Sequence, residues 1–174
     1  MPADPLAPAP IIVAALFAPA DLAWLDGLRR AHFPPERNQL AAHLTLFHHL
    51  PPSVAGELRQ RLAAMVRTTP SPPARTAGLL SLGGGVAIRI ASPELEAVRA
   101  GLAEGFAGLL TPQDRAGWRP HVTIQNKVTS AQARALMADL GRIFQDRPVR
   151  IAGIGTYYYR GGPWEPLSRH MFAG

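Results

Sequence analysis

The sequence of 174 residues contains no cysteine. That excludes a disulfide framework, a cysteine nucleophile and any thiolate-based zinc or iron–sulfur centre. Lysine is almost missing as well: of 18 basic residues only Lys127 is not arginine, and against 12 acidic residues the net charge is +6. Long apolar runs are lacking too. The stretch 11–20 is about half a membrane span and contains Pro19, so it is no transmembrane helix. No Lys or Arg precedes it, so a secretory signal would lack its basic start, and the cytoplasm is the expected compartment. What is abundant is apolar material: 47% hydrophobic against 17% charged residues gives enough for a core and argues against disorder in the bulk of the chain. The basic excess points to an anionic partner, or else to an arginine-rich solvated surface; charge alone does not choose.

Residues 1–10 hold four prolines without periodicity and read as a disordered lead-in; 11–174 reads as a single domain. The apolar run 11–17 has strand length. Leu22, Leu25 and Leu28 at three-residue spacing, with Trp24 beside them, suit an amphipathic helix over 19–32. A polar loop over 33–39 leads to a strand at 43–50. Ser53 is the candidate cap of a helix running to about Arg67. A proline-rich connector over 70–75 precedes two strands, 77–82 and 86–91, around Gly83-Gly84-Gly85, a hairpin turn without the Gly-Lys-Ser/Thr ending of a phosphate-binding loop. Ser92-Pro93 opens a helix with Leu95, Val98, Leu102 and Phe106 on one face. A loop over 111–119, a strand over 120–128, a helix opened by Ser130 and a two-stranded tail, 149–159 and 164–172, complete the chain.

Strand, helix, strand, helix over 11–67 matches the same order over 86–144. From Ile12 to His43 is 31 residues, and from Ile88 to His121 is 33. The expected fold is therefore α+β and bilobal, with β-α-β-α units duplicated about a pseudo-two-fold axis and antiparallel sheets around a central groove. The two matched strands carry one tetrapeptide pattern: His43-Leu44-Thr45-Leu46 and His121-Val122-Thr123-Ile124. Side chains alternate along a strand, so each imidazole shares a face with a hydroxyl while the aliphatic partners enter the core. At this composition chance supplies about 0.3 His-x-Thr, so two at matched points of a repeat outweigh the alternative of two core histidines. Four such groups on one cleft suit phosphodiester cleavage. A neutral imidazole takes a proton from water, a protonated one gives its proton to the leaving oxygen, and the hydroxyls hold the phosphoryl oxygens. No carboxylate accompanies either His on its strand, so no metal is expected.

The paired His-x-Thr motifs, the Arg119-Pro120-His121 lead-in, the opening strand ending Ala15-Leu16-Phe17 and the duplication resemble the 2H phosphoesterase superfamily. The branch it looks most like is the bacterial "2′-5′ RNA ligase" type, RNA 2′,3′-cyclic phosphodiesterases, and the resemblance covers most of 11–172. It implies a site of His43, Thr45, His121 and Thr123 without cofactor. It implies hydrolysis of a 2′,3′-cyclic phosphate to a 2′-phosphate, with His121 as base and His43 as acid, and reverse ligation with the roles exchanged. The expected partner is an RNA end or a cyclic nucleotide, the expected state a monomer, and no membrane is involved. A non-catalytic RNA-binding groove and a phosphoesterase for a non-RNA small molecule are the alternatives. The sequence departs from the family after each motif. Phe47-His48-His49-Leu50 replaces a Phe-Leu-Gly-like continuation, and Gln125-Asn126-Lys127 stands where an Arg often follows.

Strand parity adds secondary candidates. Phe47 and His49 share the parity of His43, and Gln125 and Lys127 that of His121. Phe47 is expected to stack a base or to pack in the core. Lys127 and Arg119 are expected to bind phosphate or to be solvated. Tyr157 and Tyr159 share a face and are expected to flank the groove or to lie on a sheet surface. His48 has the opposite parity and reads as structural, and Trp164 reads as a hairpin anchor or a base platform.

Overall fold

A computed structural model of the chain describes residues 8–174. The expected lead-in falls outside the described residues over 1–7; of the remainder, Ala9 is buried and the Pro10 carbonyl accepts a hydrogen bond from the Tyr159 N–H. The chain runs β1 (Ile11–Phe17), α1 (Pro19–His32), β2 (Leu44–Leu50), α2 (Ala55–Thr68), β3 (Pro73–Ser81), β4 (Val86–Ala91), α3 (Pro93–Gly105), α4 (Pro112–Arg115), β5 (His121–Gln125), α5 (Ser130–Gly141), β6 (Pro148–Tyr158) and β7 (Glu165–Met171). The strands form one sheet in the order β2-β1-β6-β3-β4-β5, with β7 also on β6, and every pairing between them is antiparallel.

The long strand β6 joins two half-sheets. Its opening residues, Pro148 to Arg150, pair with β3, and the rest pairs with β1 on one side and β7 on the other. One half is β2-β1-β6-β7 and the other β5-β4-β3-β6, each built on a β-α-β-α unit, as the duplication in the sequence implies. The chemistry-bearing strands β2 and β5 are the two outer edges. Strand β1 is buried on both faces and is accordingly apolar throughout. The core gathers Val13, Leu44, Leu46, Ile88, Val122 and Ile124 from the sheet with Leu25, Leu58, Leu62, Leu95 and Leu102 from the helices.

Local chemistry sets the element ends. Ser92 Oγ accepts from the Leu95 N–H with Pro93 at the first helical position of α3. Ser130 opens α5 as expected, and Thr129 before it is the cap, in a reciprocal box with Gln132. Ser53 caps nothing: it lies inside a 3-10 turn, Pro52–Val54, that precedes α2. The supposed connector at 70–75 enters β3 at Pro73, because residues 73–75 find partners on the start of β6. The loop 111–119 contains the short helix α4, capped by Thr111. Among the described residues no helix is long and apolar enough to cross a membrane.

Candidate active site

The outer edges β2 and β5 present backbone groups with no neighbouring strand. Side chains from the opposite half of the molecule satisfy them. Trp118 Nε1–H donates to the Thr45 carbonyl at 3.1 Å, and Arg99 Nε to the Leu46 carbonyl at 2.8 Å. The Asp114 carboxylate accepts the His48 N–H at 2.9 and 3.0 Å and the His49 N–H at 3.0 Å. Reciprocally, Arg29 of α1 donates to the Thr123 carbonyl of β5 at 3.0 Å. The two edges thus face each other, cross-linked by side chains, and the space between them is a cleft of about 340 Å³.

Both imidazoles and both hydroxyls line that cleft: His43, Thr45, His121 and Thr123, together with Arg99, Asp114, Trp118, Arg119 and Trp164. His43 and Thr45, like His121 and Thr123, are half-buried, while Leu44, Leu46, Val122 and Ile124 are fully buried, as alternation requires. Each ring is held the same way. His43 Nδ1 lies 2.8 Å from the Ala41 carbonyl, and His121 Nδ1 lies 2.7 Å from the Arg119 carbonyl, in each case two residues upstream. A carbonyl only accepts, so Nδ1 carries the hydrogen and Nε2 is left to exchange protons. Neither threonine hydroxyl is engaged by the described residues.

The surroundings of the two rings differ. Trp164 packs edge-on against His43, with ring centroids 4.5 Å apart, and Tyr157 lies behind it at 5.5 Å. Burial pushes the His43 imidazole down to about 4, against the pull of the Ala41 carbonyl and reinforced by Arg29, His121 and His48. In the free cleft at neutral pH this ring is uncharged.

A β-bulge in each half corrects the parity reading. In the β1–β2 ladder Ala14 opposes Thr45 but Val13 opposes Phe47. In β4–β5 Ala87 opposes Thr123 but Val86 opposes Gln125. The extra residue puts two successive side chains into the core and turns the next one, His48 in β2 and Asn126 after β5, outward. Phe47 is therefore 0% exposed, beneath the Arg99 guanidinium at 4.7 Å, and stacks no ligand. Gln125, at the equivalent bulge of the other half, is likewise buried, with Oε1 unpartnered among the described residues. His48, assigned to structure, instead lines the cleft. Gly84-Gly85 closes tightly on this region: a Cβ on Gly85 would overlap the Gln125 carbonyl.

The remaining candidates take separate places. Arg119 is exposed on the cleft wall. Lys127 lies past the end of β5 with φ of 61°, exposed beside a trough of about 740 Å³ that also borders His43, His48, Thr123, Tyr159 and Trp164. Tyr159 is on that trough's rim. Tyr157 instead enters a smaller apolar pocket of about 250 Å³ behind His43, together with Trp164, Leu22, Leu40 and Arg169. Sequence reasoning missed Arg29, Arg99, Asp114 and Trp118. A usable signal exists for the first two: each arginine stands four residues after the most buried leucine of its helix, Leu25 in α1 and Leu95 in α3.

A duplicated sheet whose two edges bring His-x-Thr pairs to one cleft is the arrangement of a two-histidine phosphoesterase. The profile of the 2′-5′ RNA ligase superfamily matches residues 17–163, and the chain belongs to that family. A search of curated proteins gave no match. Among solved structures, TT0787 of Thermus thermophilus is 15% identical with a TM-score of 0.66, over 95% of this chain and 98% of that one. E. coli LigT complexed with 3′-AMP is 18% identical with a TM-score of 0.54, over 97% and 100%. E. coli LigT complexed with NADP+ is 19% identical with a TM-score of 0.55, over 97% and 100%. At these identities the likeness is one of fold.

Proposed function

We propose that this protein hydrolyses 2′,3′-cyclic phosphates, on RNA ends or cyclic nucleotides, to 2′-phosphates by acid–base catalysis between His43 and His121. One observation carries the reading: both rings are anchored through Nδ1 on the carbonyl two residues upstream, so both offer Nε2 at one cleft, each beside an unengaged threonine hydroxyl. Membership of the 2′-5′ RNA ligase superfamily agrees with it, as do the nucleotides held by the related fold of LigT.

The resting charge favours the reverse of the roles expected from the sequence. His43, uncharged in the free cleft, accepts the proton of the attacking water at Nε2. The water oxygen bonds to phosphorus, the bond from phosphorus to the 3′ oxygen breaks, and that oxygen takes the Nε2 proton of His121. The products are a 2′-phosphomonoester and a 3′ hydroxyl. Thr45 and Thr123 hydrogen-bond the non-bridging oxygens as charge gathers on them. With a 5′ hydroxyl in place of water, the same steps join that hydroxyl to the cyclic phosphate: its oxygen bonds to phosphorus, the bond to the 3′ oxygen breaks, and a 2′-5′ linkage results.

Adenosine 2′,3′-cyclic phosphate should give the 2′-phosphate alone, and His43→Ala and His121→Ala should each lose about 10²–10⁴ of kcat/KM. Wild-type turnover in both variants sinks the assignment. Salt-dependent RNA binding without product would favour a groove that only binds.

A further inference from the structure

His48 is a third imidazole at the cleft, and it is mounted differently from the other two. Asp114, 2% exposed, accepts the His48 and His49 backbone N–H groups and also faces His48 Nδ1 at 3.1 Å. Burial alone would push the Asp114 carboxyl up; the His48 ring and the two N–H groups outweigh that and hold it below the ordinary carboxylate range. The carboxylate is therefore charged, and Nδ1 carries the hydrogen that it accepts. Nε2 is left to a ligand, on a side chain 44% exposed. Arg99 braces the mount, donating from Nη2 to the Asp114 carbonyl at 2.8 Å.

The position is informative as well. His48 borders both the catalytic cleft and the neighbouring trough, where Arg29, Arg37 and Lys127 stand against one carboxylate, Glu36. The pair also breaks the duplication. The place of His48 in the other half is taken by Asn126, whose Oδ1 accepts from the Lys127 N–H. Chemistry at a phosphorus uses the matched His-x-Thr pairs. A feature present on one side only corresponds to the part of the substrate that continues in one direction.

We propose that His48, mounted on Asp114, binds a second phosphate of the substrate, adjoining the one that reacts, as an imidazolium held between two anions: Nδ1–H to Asp114 and Nε2–H to the phosphate. The proposal rests on the cyclic phosphodiesterase reading and narrows it to nucleotides with two phosphates. That second phosphate is either the internucleotide phosphate of an RNA end or a terminal phosphate on a mononucleotide.

The test compares kcat/KM for adenosine 2′,3′-cyclic phosphate, the same compound with a 5′-phosphate, and an adenylyl dinucleotide ending in the cyclic phosphate. The wild type should prefer at least one two-phosphate substrate by about 10-fold, in line with a charge-assisted hydrogen bond. The substrate preferred identifies the source of the phosphate. In His48→Gln and Asp114→Asn the preference should collapse to within about 2-fold. It should persist in His49→Gln, which removes an imidazole that does not line the cleft. His48→Phe replaces Asp114→Asn if the latter does not fold. Wild type without preference, or His48→Gln with the full preference, overturns the proposal while leaving the hydrolysis intact. Calorimetry with adenosine 3′,5′-bisphosphate against 3′-AMP needs no turnover. Tighter binding of the bisphosphate by wild type but not by His48→Gln supports the site even where no cyclic phosphate is hydrolysed.

Discussion

At the residue scale, two imidazoles in the same sequence motif with the same Nδ1 bond sit in different surroundings. Trp164 packs on His43 at 4.5 Å between ring centroids and is part of the burial that disfavours its charge. The acidic limb of kcat/KM should therefore fall with an apparent pKa near 4, not near 6.5, since the free ring must be neutral to act as base. Trp164→Ala should move that limb up in pH as burial is relieved; a limb that stays in place would separate the depression from the tryptophan. Stability follows the same group. Between about 4 and 6.5 the unfolded His43 binds a proton that the folded one refuses, so stability falls as pH drops through that window, and the slope should flatten in His43→Ala when read by denaturant titration. The pair of motifs was legible in sequence because His and Thr stand out on aliphatic strands. Arg29 and Arg99 were not, since an arginine bordering an apolar helix face usually extends its guanidinium to water. Here both guanidiniums turn inward, because an edge-strand carbonyl from the other half waits unpaired.

At the element scale, what could be read was set by local chemistry. The α1 boundaries match the sequence expectation, as proline at the start and leucine spacing dictate. The bulges in β2 and β5 were invisible, because the extra residue is defined by the partner strand and not by its own sequence. They reversed the roles of Phe47 and His48. The loop 111–119 likewise hid Asp114, whose partners lie on a strand about 65 residues away. The repeat of the bulge also leaves a mismatch. Phe47 fills its position with carbon, whereas Gln125 brings a buried amide oxygen without a donor. An unpaired buried polar atom costs about 1–3 kcal/mol, so Gln125→Leu should stabilise the fold by about 1 kcal/mol in a urea titration. A loss of stability would show that the oxygen is satisfied, for instance by a bound water.

At the scale of the whole molecule, the cleft exists because a sheet with two chemically equivalent ends brings those ends to face each other. Strand β6 enforces this by belonging to both half-sheets, so neither half can move without bending it. The duplication was legible from element order; the shared strand was not, because its pairing with β3 is set by tertiary register. Overall charge then acts on this frame. The net +6 is expressed locally where the trough beside the cleft carries exposed Arg37 and Lys127. For an oligonucleotide ending in a cyclic phosphate, two such contacts give a salt slope of about −1.4, so kcat/KM should fall about 7-fold between 50 and 200 mM salt. A mononucleoside cyclic phosphate has no further phosphate to place against Arg37 and Lys127 and should change by less than about 2-fold over the same range. Arg37→Gln combined with Lys127→Gln should bring the oligonucleotide to the shallow slope. Equal slopes for the two substrates in the wild type would mean that the trough takes no part in binding, and that the basic excess is a property of the general surface.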